Sequence, residues 1–358
     1  MTADRLFNRA EKLKSLSKYK DALVFFNKAK EAYKKYDDKE GVLLCCMSVG
    51  DTCRMIGEFN LAAKNYSMAA ALSRQMKDRA TMADAAVGLG LSMRALGRWK
   101  EALKLFSKAK KSYIESKDKQ GIAFTLWAEG GALRIKGDIT GAIKSFKKSL
   151  KFFRALKNKP GIGYSLCGLG GTCRVAGLFK DSYNYYISAN RLFSGLKDTF
   201  GIAYSYCGIG NALRMNEDYD GARLNFKKAT ALYMKIGDIV SYSYTLWSLG
   251  KTYTMTGSLD RASRYFEQSL RLFNKTRDPR GIIYCKLAMG EIDFIKKNIF
   301  SARDKFDSAL QDSLANNFSV EKCHARTFLS YIGGKIDNRC YNRLGARLRF
   351  RTIPFNIP

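Results

Sequence analysis

Residues 161–200 read GIGYSLCGLGGTCRVAGLFKDSYNYYISANRLFSGLKDTF, and residues 201–240 read GIAYSYCGIGNALRMNEDYDGARLNFKKATALYMKIGDIV. The two stretches align without a gap, so that Gly170 corresponds to Gly210 and Tyr186 corresponds to Phe226. Self-similarity at a fixed spacing predicts a chain built from stacked copies of one structural unit. Length alone, at 358 residues, would instead suggest about two or three separate domains.

The 40-residue period extends through most of the chain. The register glycines are Gly50, Gly90, Gly130, Gly170, Gly210, Gly250 and Gly290. Twelve residues after each stands a small residue: Ala62, Ala102, Ala142, Ser182, Ala222, Ala262 and Ala302. Sixteen residues after each stands an aromatic residue: Tyr66, Phe106, Phe146, Tyr186, Phe226, Phe266 and Phe306. Ala10, Ala22, Phe26 and Ala29 place residues 1–40 in the same frame, so we expect eight repeats over residues 1–320.

Each repeat reads as two helices, A and B, separated by two kinds of turn. Asp or Asn marks the joint before each helix A, at Asp38, Asp78, Asp118, Asn158, Asp198, Asp238 and Asp278, and these residue types cap helix N-termini. The turn between helix A and helix B often carries glycine, at Gly57, Gly97, Gly137, Gly177 and Gly257. Small residues let the two helices approach closely, and we expect the aromatic residue to fill the gap to the next hairpin.

Nineteen residues after each register glycine stands a second small residue: Ala69, Ala109, Ser149, Ala189, Ala229, Ser269 and Ala309. This pattern of small, small, aromatic and small residues resembles the tetratricopeptide repeat, in a 40-residue variety with long helices. The resemblance covers about nine tenths of the chain and implies an all-α, right-handed α-solenoid of about eight tetratricopeptide-like helical hairpins with a C-terminal capping helix. The predicted divisions are 1–320 for the solenoid, 321–338 for the capping helix and 339–358 for a basic tail. The stretch SVEKCHARTFLSYI at 319–332 reads as the capping helix, and its His324 as a satisfied surface or cap residue.

In a stack of this kind the A helices line the concave surface, and helical spacing selects the residues that face inward. Four residues after the register glycine comes an arginine ladder: Arg54, Arg94, Arg134, Arg174 and Arg214. Six residues before it come aromatic side chains: Phe124, Tyr164, Tyr204, Tyr244 and Tyr284. Trp127, Cys167, Cys207 and Trp247 stand three residues before it. Asn211 alone matches the asparagine that peptide-binding relatives often carry just after the glycine, so an asparagine-based clamp is in doubt.

Arginine binds a carboxylate through two parallel hydrogen bonds. The favoured function is therefore a non-catalytic protein-interaction scaffold that binds an extended acidic protein or peptide segment. The alternative for the arginines is that they cap helix A or pair with acids, and the aromatic side chains could equally pack between adjacent A helices. A groove of Arg and aromatic residues would also suit single-stranded RNA, which is the runner-up ligand. A regulatory subunit with a small anionic ligand is the third possibility.

Charge is concentrated in two further places. The chain has 63 Lys+Arg against 32 Asp+Glu, a formal net charge of +31. Lysines crowd the B helices of the third and fourth repeats, which we expect to form a solvated convex face or, alternatively, a second polyanion surface. The tail RCYNRLGARLRFRTIPFNIP is also basic, and we expect a frayed end, or alternatively a linear hook that docks on a partner or on the stack's own edge.

Other classes of function are disfavoured by what the sequence lacks. It contains no phosphate-binding loop, metalloprotease motif or nucleophile elbow, so we predict no catalytic residues, no metal site and no cofactor. All nine cysteines, Cys53 and Cys173 in the core among them, are predicted to be free thiols in a reducing cytoplasm, and the protein to be part of a larger complex. The N-terminal stretch has no apolar segment typical of a secretory signal, and no stretch is apolar enough for a membrane span.

Overall fold

The structure, a computed structural model, describes residues 2–358, and within that range it contains eighteen helices and no strand. The helices are α1 (Ala3–Ser15), α2 (Tyr19–Lys35), α3 (Lys39–Met55), α4 (Phe59–Gln75), α5 (Arg79–Ala95), α6 (Trp99–Glu115), α7 (Lys119–Lys136), α8 (Ile139–Ala155), α9 (Lys159–Val175), α10 (Phe179–Leu196), α11 (Thr199–Met215), α12 (Tyr219–Ile236), α13 (Ile239–Met255), α14 (Leu259–Thr276), α15 (Pro279–Ile295), α16 (Ile299–Ala315), α17 (Ser319–Ile332) and α18 (Arg339–Arg343). The first sixteen pair into the eight expected hairpins. No helix within 2–358 is both long and apolar enough to cross a lipid bilayer.

Every turn between helices is built in the same way. A residue in the left-handed region stands at every twentieth position from Ser17 to Asn317. The predicted turn glycines are among these residues, and Gly137 has φ 90°. Glycine adopts this conformation without steric cost, which explains its place in five of the turns between helix A and helix B. The backbone therefore repeats every 20 residues, although the side-chain pattern repeats every 40.

The A helices begin at the Asx residues that the sequence marked as joints. The side chain of Asp38 accepts a hydrogen bond from the backbone N–H of Gly41 at 2.8 Å, and Asn158 accepts one from Gly161 at 2.8 Å. Equivalent caps begin α5, α7, α11, α13 and α15. Each cap satisfies a backbone donor that the helix itself leaves unpaired. The predicted role of the joints is thus confirmed.

The repeated aromatic side chain is held between its own hairpin and the next helix A. A Cβ on the register glycine Gly170 would come within 2.8 Å of the Tyr186 ring, and a Cβ on Gly208 in α11 would overlap the same ring. The Tyr186 side chain is 4% exposed. Close helix approach at the glycines therefore creates the slot that the aromatic ring fills.

We expect Gly208→Ala to destabilise the protein by about 1–3 kcal/mol, because the added methyl group must displace the Tyr186 ring in a packed core. Gly195, in α10, offers the matched control because an added Cβ would meet nothing within 4 Å. Gly195→Ala should stabilise by about 0.5–1 kcal/mol through the better helix propensity of alanine. Urea denaturation measures both. Equal effects of the two substitutions would show that the glycine slot does not control packing.

Contacts between hairpins identify the inner surface. Successive A helices touch one another, in the pairs α3–α5, α5–α7, α7–α9, α9–α11, α11–α13, α13–α15 and α15–α17. Successive B helices within residues 2–358 make no comparable contacts. The A helices therefore lie on the concave side and the B helices on the convex side, as expected for this fold.

The ribbon of hairpins coils tightly enough for its two edges to meet. Three A–B turns, at Gly57, Gly97 and Gly137, lie against the first residues of α13, α15 and α17, at Ile239, Pro279 and Ser319. The separation is 182 residues in each case, so about four and a half repeats complete one superhelical turn. Edge contacts enclose the concave surface, and this closure was not predicted from the sequence.

The predicted capping helix is α17. The cysteines and the tail near it contradict two of the expectations from the sequence. Cys323 in α17 and Cys340 in α18 form a disulfide, so the prediction that all nine cysteines are free thiols is wrong for this pair. The other seven are free, with Cys53 and Cys173 buried as expected. The two helices bring the paired Cα atoms to 5.5 Å, a separation that the sequence could not reveal.

The basic tail is packed against the solenoid. Ala346, Leu348, Phe350, Phe355 and Ile357 are buried, and the preferred expectation of a frayed end is therefore wrong. The arginines that alternate with the first three of these residues point to solvent, in the sequence ARLRFR. This alternation of apolar and basic residues is typical of an extended segment that covers an apolar surface. The tail corresponds instead to the alternative, a hook docked on the stack itself.

Candidate functional site

The arginine ladder lies in the last turns of successive A helices, on the concave surface. Arg54, Arg94, Arg134 and Arg174 are partly accessible, and Arg214 is fully buried. The guanidinium of Arg94 lies 5.5 Å from the centre of the Trp127 ring of the next helix A, at a distance typical of a cation–π contact.

Small residues after the register glycine make room for the arginine of the preceding repeat. A Cβ on Gly131 would overlap the guanidinium of Arg94, and a Cβ on Gly171 would overlap that of Arg134. Each of these arginines therefore extends across the concave surface onto its neighbouring helix. The geometry depends on glycine at both positions, because any side chain there would displace the cation.

Arg54 is the one member of the ladder with an acidic partner in the described part of the chain, and three of the other four are partly accessible. Within residues 2–358, no carboxylate oxygen lies within 4.0 Å of the guanidinium of Arg94, Arg134 or Arg174, whereas Arg54 pairs with Asp51 at 3.4 Å. Burial, and then the charge of Arg134, lower the pKa of Arg94 to about 10. The cations thus raise one another's electrostatic energy, and an anion in the groove would relieve that repulsion.

Most of the predicted aromatic side chains serve the packing of A helices. The hydroxyl groups of Tyr164 and Tyr244 donate to the capping carboxylates of Asp198 and Asp278, each at 2.9 Å. Trp127 and Trp247 donate from their indole N–H groups to the backbone carbonyls of Tyr164 at 3.1 Å and of Tyr284 at 3.0 Å. These contacts agree with the alternative in which the aromatic side chains pack between adjacent A helices.

The other predicted positions differ in how much of their side chains an outside molecule could reach. Phe124 is 40% exposed, and Tyr204 is half-buried, with its ring stacked 6.1 Å from that of Phe200. Tyr284 and Cys167 are buried. Among the predicted aromatic side chains, those of Phe124 and Tyr204 thus offer more accessible surface than that of Tyr284, and their binding of a ligand stays a prediction.

Asn211 is occupied by contacts within the chain. Its side-chain oxygen accepts from the hydroxyl of Ser248 at 3.1 Å and from Nη2 of Arg214 at 3.3 Å, and its amide nitrogen donates to the carbonyl of Cys207 at 3.1 Å. The side chain is 6% exposed. Asn211 therefore positions Arg214, and the geometry offers no separate asparagine clamp for a peptide backbone.

The C-terminal end of the groove holds two polar residues that the sequence did not single out as functional. Lys251 and Glu291 stand just after the register glycines of adjacent A helices and form an ion pair with both side chains fully buried. Burial raises the pKa of Glu291 and lowers that of Lys251, and the opposite charge of each partner counters both shifts. Their opposite charges at a spacing of 40 residues are a signal from which the pair could have been found.

His324 is buried in α17, not at the surface. Its Nδ1 lies 2.8 Å from the hydroxyl of Tyr341, and Nε2 has no hydrogen-bond partner among residues 2–358. Burial lowers the pKa of His324 to about 4. The ring is therefore neutral at pH 7, and it anchors the tail helix α18 on the capping helix.

His324 is the only histidine, so its ring resonances in an NMR spectrum are assigned without ambiguity. We expect no titration of the native resonance between about pH 8 and pH 5, and a midpoint near pH 6.5 in urea. The unfolded chain then binds a proton that the native state does not bind. His324 therefore does not lower the free energy of unfolding above about pH 6.5. As the pH falls from about 6.5 towards 4, protonation of the unfolded chain lowers that free energy. A native midpoint near 6.5 would contradict the buried position.

The convex lysines face solvent, on the opposite side from the ladder. The side chains of Lys104, Lys108, Lys144, Lys147 and Lys148 project from α6 and α8 and are exposed. Lys110 is the exception, because it pairs with Glu129 at 2.9 Å. The expectation of a solvated convex face on the B helices agrees with this placement.

Comparison with known proteins supports the fold. Residues 81–155 match the sequence profile of the tetratricopeptide repeat. The fold is similar to that of a Rap protein complexed with Competence and Sporulation Factor, with 12% identity, a TM-score of 0.61, and coverage of 96% of this chain and 99% of that one. A Rap conjugation gene regulator of plasmid pLS20 in complex with a Phr peptide matches with 12% identity, a TM-score of 0.62, and coverage of 96% and 92%. No curated protein sequence matches significantly.

A third solved structure has a similar fold. The tetratricopeptide-repeat sensor protein PH0952 of Pyrococcus horikoshii, a STAND signal-transduction ATPase, matches with 16% identity and a TM-score of 0.50, over 88% of this chain and 49% of that one. Together with the repeat geometry, these findings define the fold as a tetratricopeptide-like α-solenoid, with the repeat profile itself matched over residues 81–155.

Proposed function

We propose that this solenoid is a non-catalytic scaffold that binds an extended acidic segment of a partner protein on its concave surface. The observation that carries the proposal is the set of three guanidinium groups, of Arg94, Arg134 and Arg174, that face the groove without a carboxylate partner. Charged groups held together without counterions are unfavourable, and a ligand carboxylate would both pair with them and relieve their repulsion.

The repeat geometry favours an extended ligand. The three arginines recur once per A helix, so successive acidic side chains of one chain could meet successive cations. Phe124 in α7 and Tyr204 in α11 provide accessible aromatic surface on two of the A helices. The Rap regulator of similar fold was solved in complex with a peptide, which supports a peptide-sized ligand for this groove as well. Location in the cytoplasm and membership of a larger complex belong to the same proposal.

Fluorescence anisotropy with labelled peptides tests the proposed function. A twelve-residue peptide of alternating Glu and Ser should bind at 150 mM salt, while the same peptide with Lys in place of Glu should not. Raising the salt concentration should weaken the complex only moderately, because the partly buried pairs are poorly screened. Equal binding of the two peptides, or binding of neither, would refute an acidic ligand.

Single-stranded RNA is the second candidate, because the exposed Phe124 ring stacks at 5.5 Å on Trp127, beside Arg94. An oligouridine probe in the same assay separates the two ligands. If RNA is bound, the logarithm of affinity should fall linearly with the logarithm of salt, with a slope of about 0.7 per phosphate contacted. Phe124→Ala and Tyr204→Ala should then each cost about 1–3 kcal/mol.

A further inference from the structure

The final residues of the chain run from the solenoid's edge into its groove. The backbone N–H of Arg347 donates to the carbonyl of Ala176 at 2.8 Å, so the tail lies against the A–B turn of the fifth repeat. Asn338 then holds the backbone of Phe350 through two hydrogen bonds, at 3.1 and 3.2 Å. Beyond this point the segment 353–358 reaches the concave surface of α11 and α15.

Asn356 and Arg214 recognise each other reciprocally. The amide nitrogen of Asn356 donates to the backbone carbonyl of Arg214 at 2.8 Å, and the guanidinium of Arg214 donates to the amide oxygen of Asn356. The same guanidinium donates to the backbone carbonyl of Ile357 at 3.0 Å. An aspartate at this position could accept from the guanidinium, but its carboxylate would face the carbonyl of Arg214 without a proton to donate.

Phe355 fills the adjoining space. Its ring lies 4.9 Å from that of Phe328 and 5.3 Å from that of Tyr331, both in α17, and the side chain is 1% exposed. Its backbone N–H donates to a carboxylate oxygen of Glu291, while the other oxygen accepts from Lys251. The groove thus contacts three consecutive residues: the backbone N–H and the ring of Phe355, the side-chain amide of Asn356 and the backbone carbonyl of Ile357.

We propose that residues 353–358 are an intramolecular ligand of the groove, and that the subsite they fill accepts an aromatic residue followed by asparagine from a partner chain. The residues that hold the tail, Arg214 and Glu291, occupy the register positions that elsewhere carry the open arginine ladder and its glycines. A partner segment that extends past Arg174 therefore has to displace the tail. Displacement of the tail by an acidic partner segment rests on the proposed function. The preference of the subsite for an aromatic residue followed by asparagine does not.

A labelled peptide with the sequence of residues 351–358, RTIPFNIP, tests the subsite on the full chain. The wild type should not bind it up to about 100 μM, because a tethered segment competes at an effective concentration of the order of millimolar. The double variant Phe355→Ala/Asn356→Ala should bind it at least tenfold more tightly. A second peptide with Asp in place of Asn should bind this variant at least tenfold more weakly than the first.

In the peptide assay, two results would overturn the proposal: no binding of RTIPFNIP to a double variant that retains the helical circular dichroism of the wild type, or equal binding of the Asn and Asp peptides. Hydrogen exchange of the wild type and of Asn356→Ala provides a second measurement that does not need the double variant to fold. The amides of Phe355 and Ile357 should be protected in the wild type and exchange at least tenfold faster in Asn356→Ala. Unprotected amides in the wild type would also overturn it. If the Glu–Ser peptide failed to bind, the proposed function would be refuted, but the results expected for RTIPFNIP binding and for hydrogen exchange would stay the same.

Discussion

Replacing Glu291 with alanine is expected to lower the free energy of unfolding by about 3–5 kcal/mol, because the ammonium group of Lys251 would remain buried without a counterion. Both side chains are fully buried in the structure. The same substitution removes the acceptor for the backbone N–H of Phe355. Loss of a buried partner is costly because the remaining charge has neither water nor an opposite charge to stabilise it. Chemical denaturation followed by circular dichroism measures the change.

The double substitution Lys251→Met/Glu291→Met provides the control. It removes both charges and keeps apolar volume, so its stability should lie much closer to that of the wild type than the stability of Glu291→Ala. An equal loss in the two variants would mean that packing, not the unpaired charge, accounts for the effect. A loss below about 1 kcal/mol in Glu291→Ala would contradict burial of the pair.

Simultaneous replacement of Arg94, Arg134 and Arg174 with alanine should weaken binding of the Glu–Ser peptide by more than about 100-fold. Each charge-assisted contact contributes about 1.5–3 kcal/mol, so the loss of three exceeds this threshold. The fold should persist, since none of the three has an acidic partner among residues 2–358 and their removal relieves repulsion. Anisotropy titration measures the affinity, and thermal denaturation verifies folding.

Lys144, Lys147 and Lys148 supply a control with the same change in net charge on the convex side. Their replacement with alanine should change peptide affinity by less than about threefold, because exposed charges beyond the Debye length are screened. Comparable losses in the two triple variants would show that net charge attracts the peptide and that the ladder does not bind it directly. Unchanged affinity in the arginine variant would assign the ladder a structural role.

Much of the fold could be predicted because it depends on contacts between residues close along the chain, and these contacts recur in every repeat. The capping side chain of Asp38, the turn at Gly57 and the slot at Gly170 each involve residues close along the chain. Eight copies of one pattern make each inference stronger than a single copy would. The predicted capping helix at 319–332 coincides with α17 for the same reason, because its periodicity continues that of the stack.

The candidate site was predictable only in part. The helical register placed the arginine ladder on the concave surface, but it could not distinguish an open cation such as Arg134 from one already covered, such as Arg214. Tyr164 and Tyr244 share that surface, yet their hydroxyl groups contact the caps of the following helices. Such differences depend on the neighbours of each copy, and the repeat pattern describes only what the copies share.

The amino-acid sequence by itself determined the repeat, its helices, their turns and the surface on which the arginines lie, because short-range packing and capping decide these features. Only the tertiary structure decided the closure of the ribbon at Gly57 and Ile239, the Cys323–Cys340 disulfide and the docking of Asn356 on Arg214. Each of these depends on the accumulated rotation from one hairpin to the next. A small angle repeated over several hairpins brings distant residues together, and no local pattern in the sequence encodes their meeting.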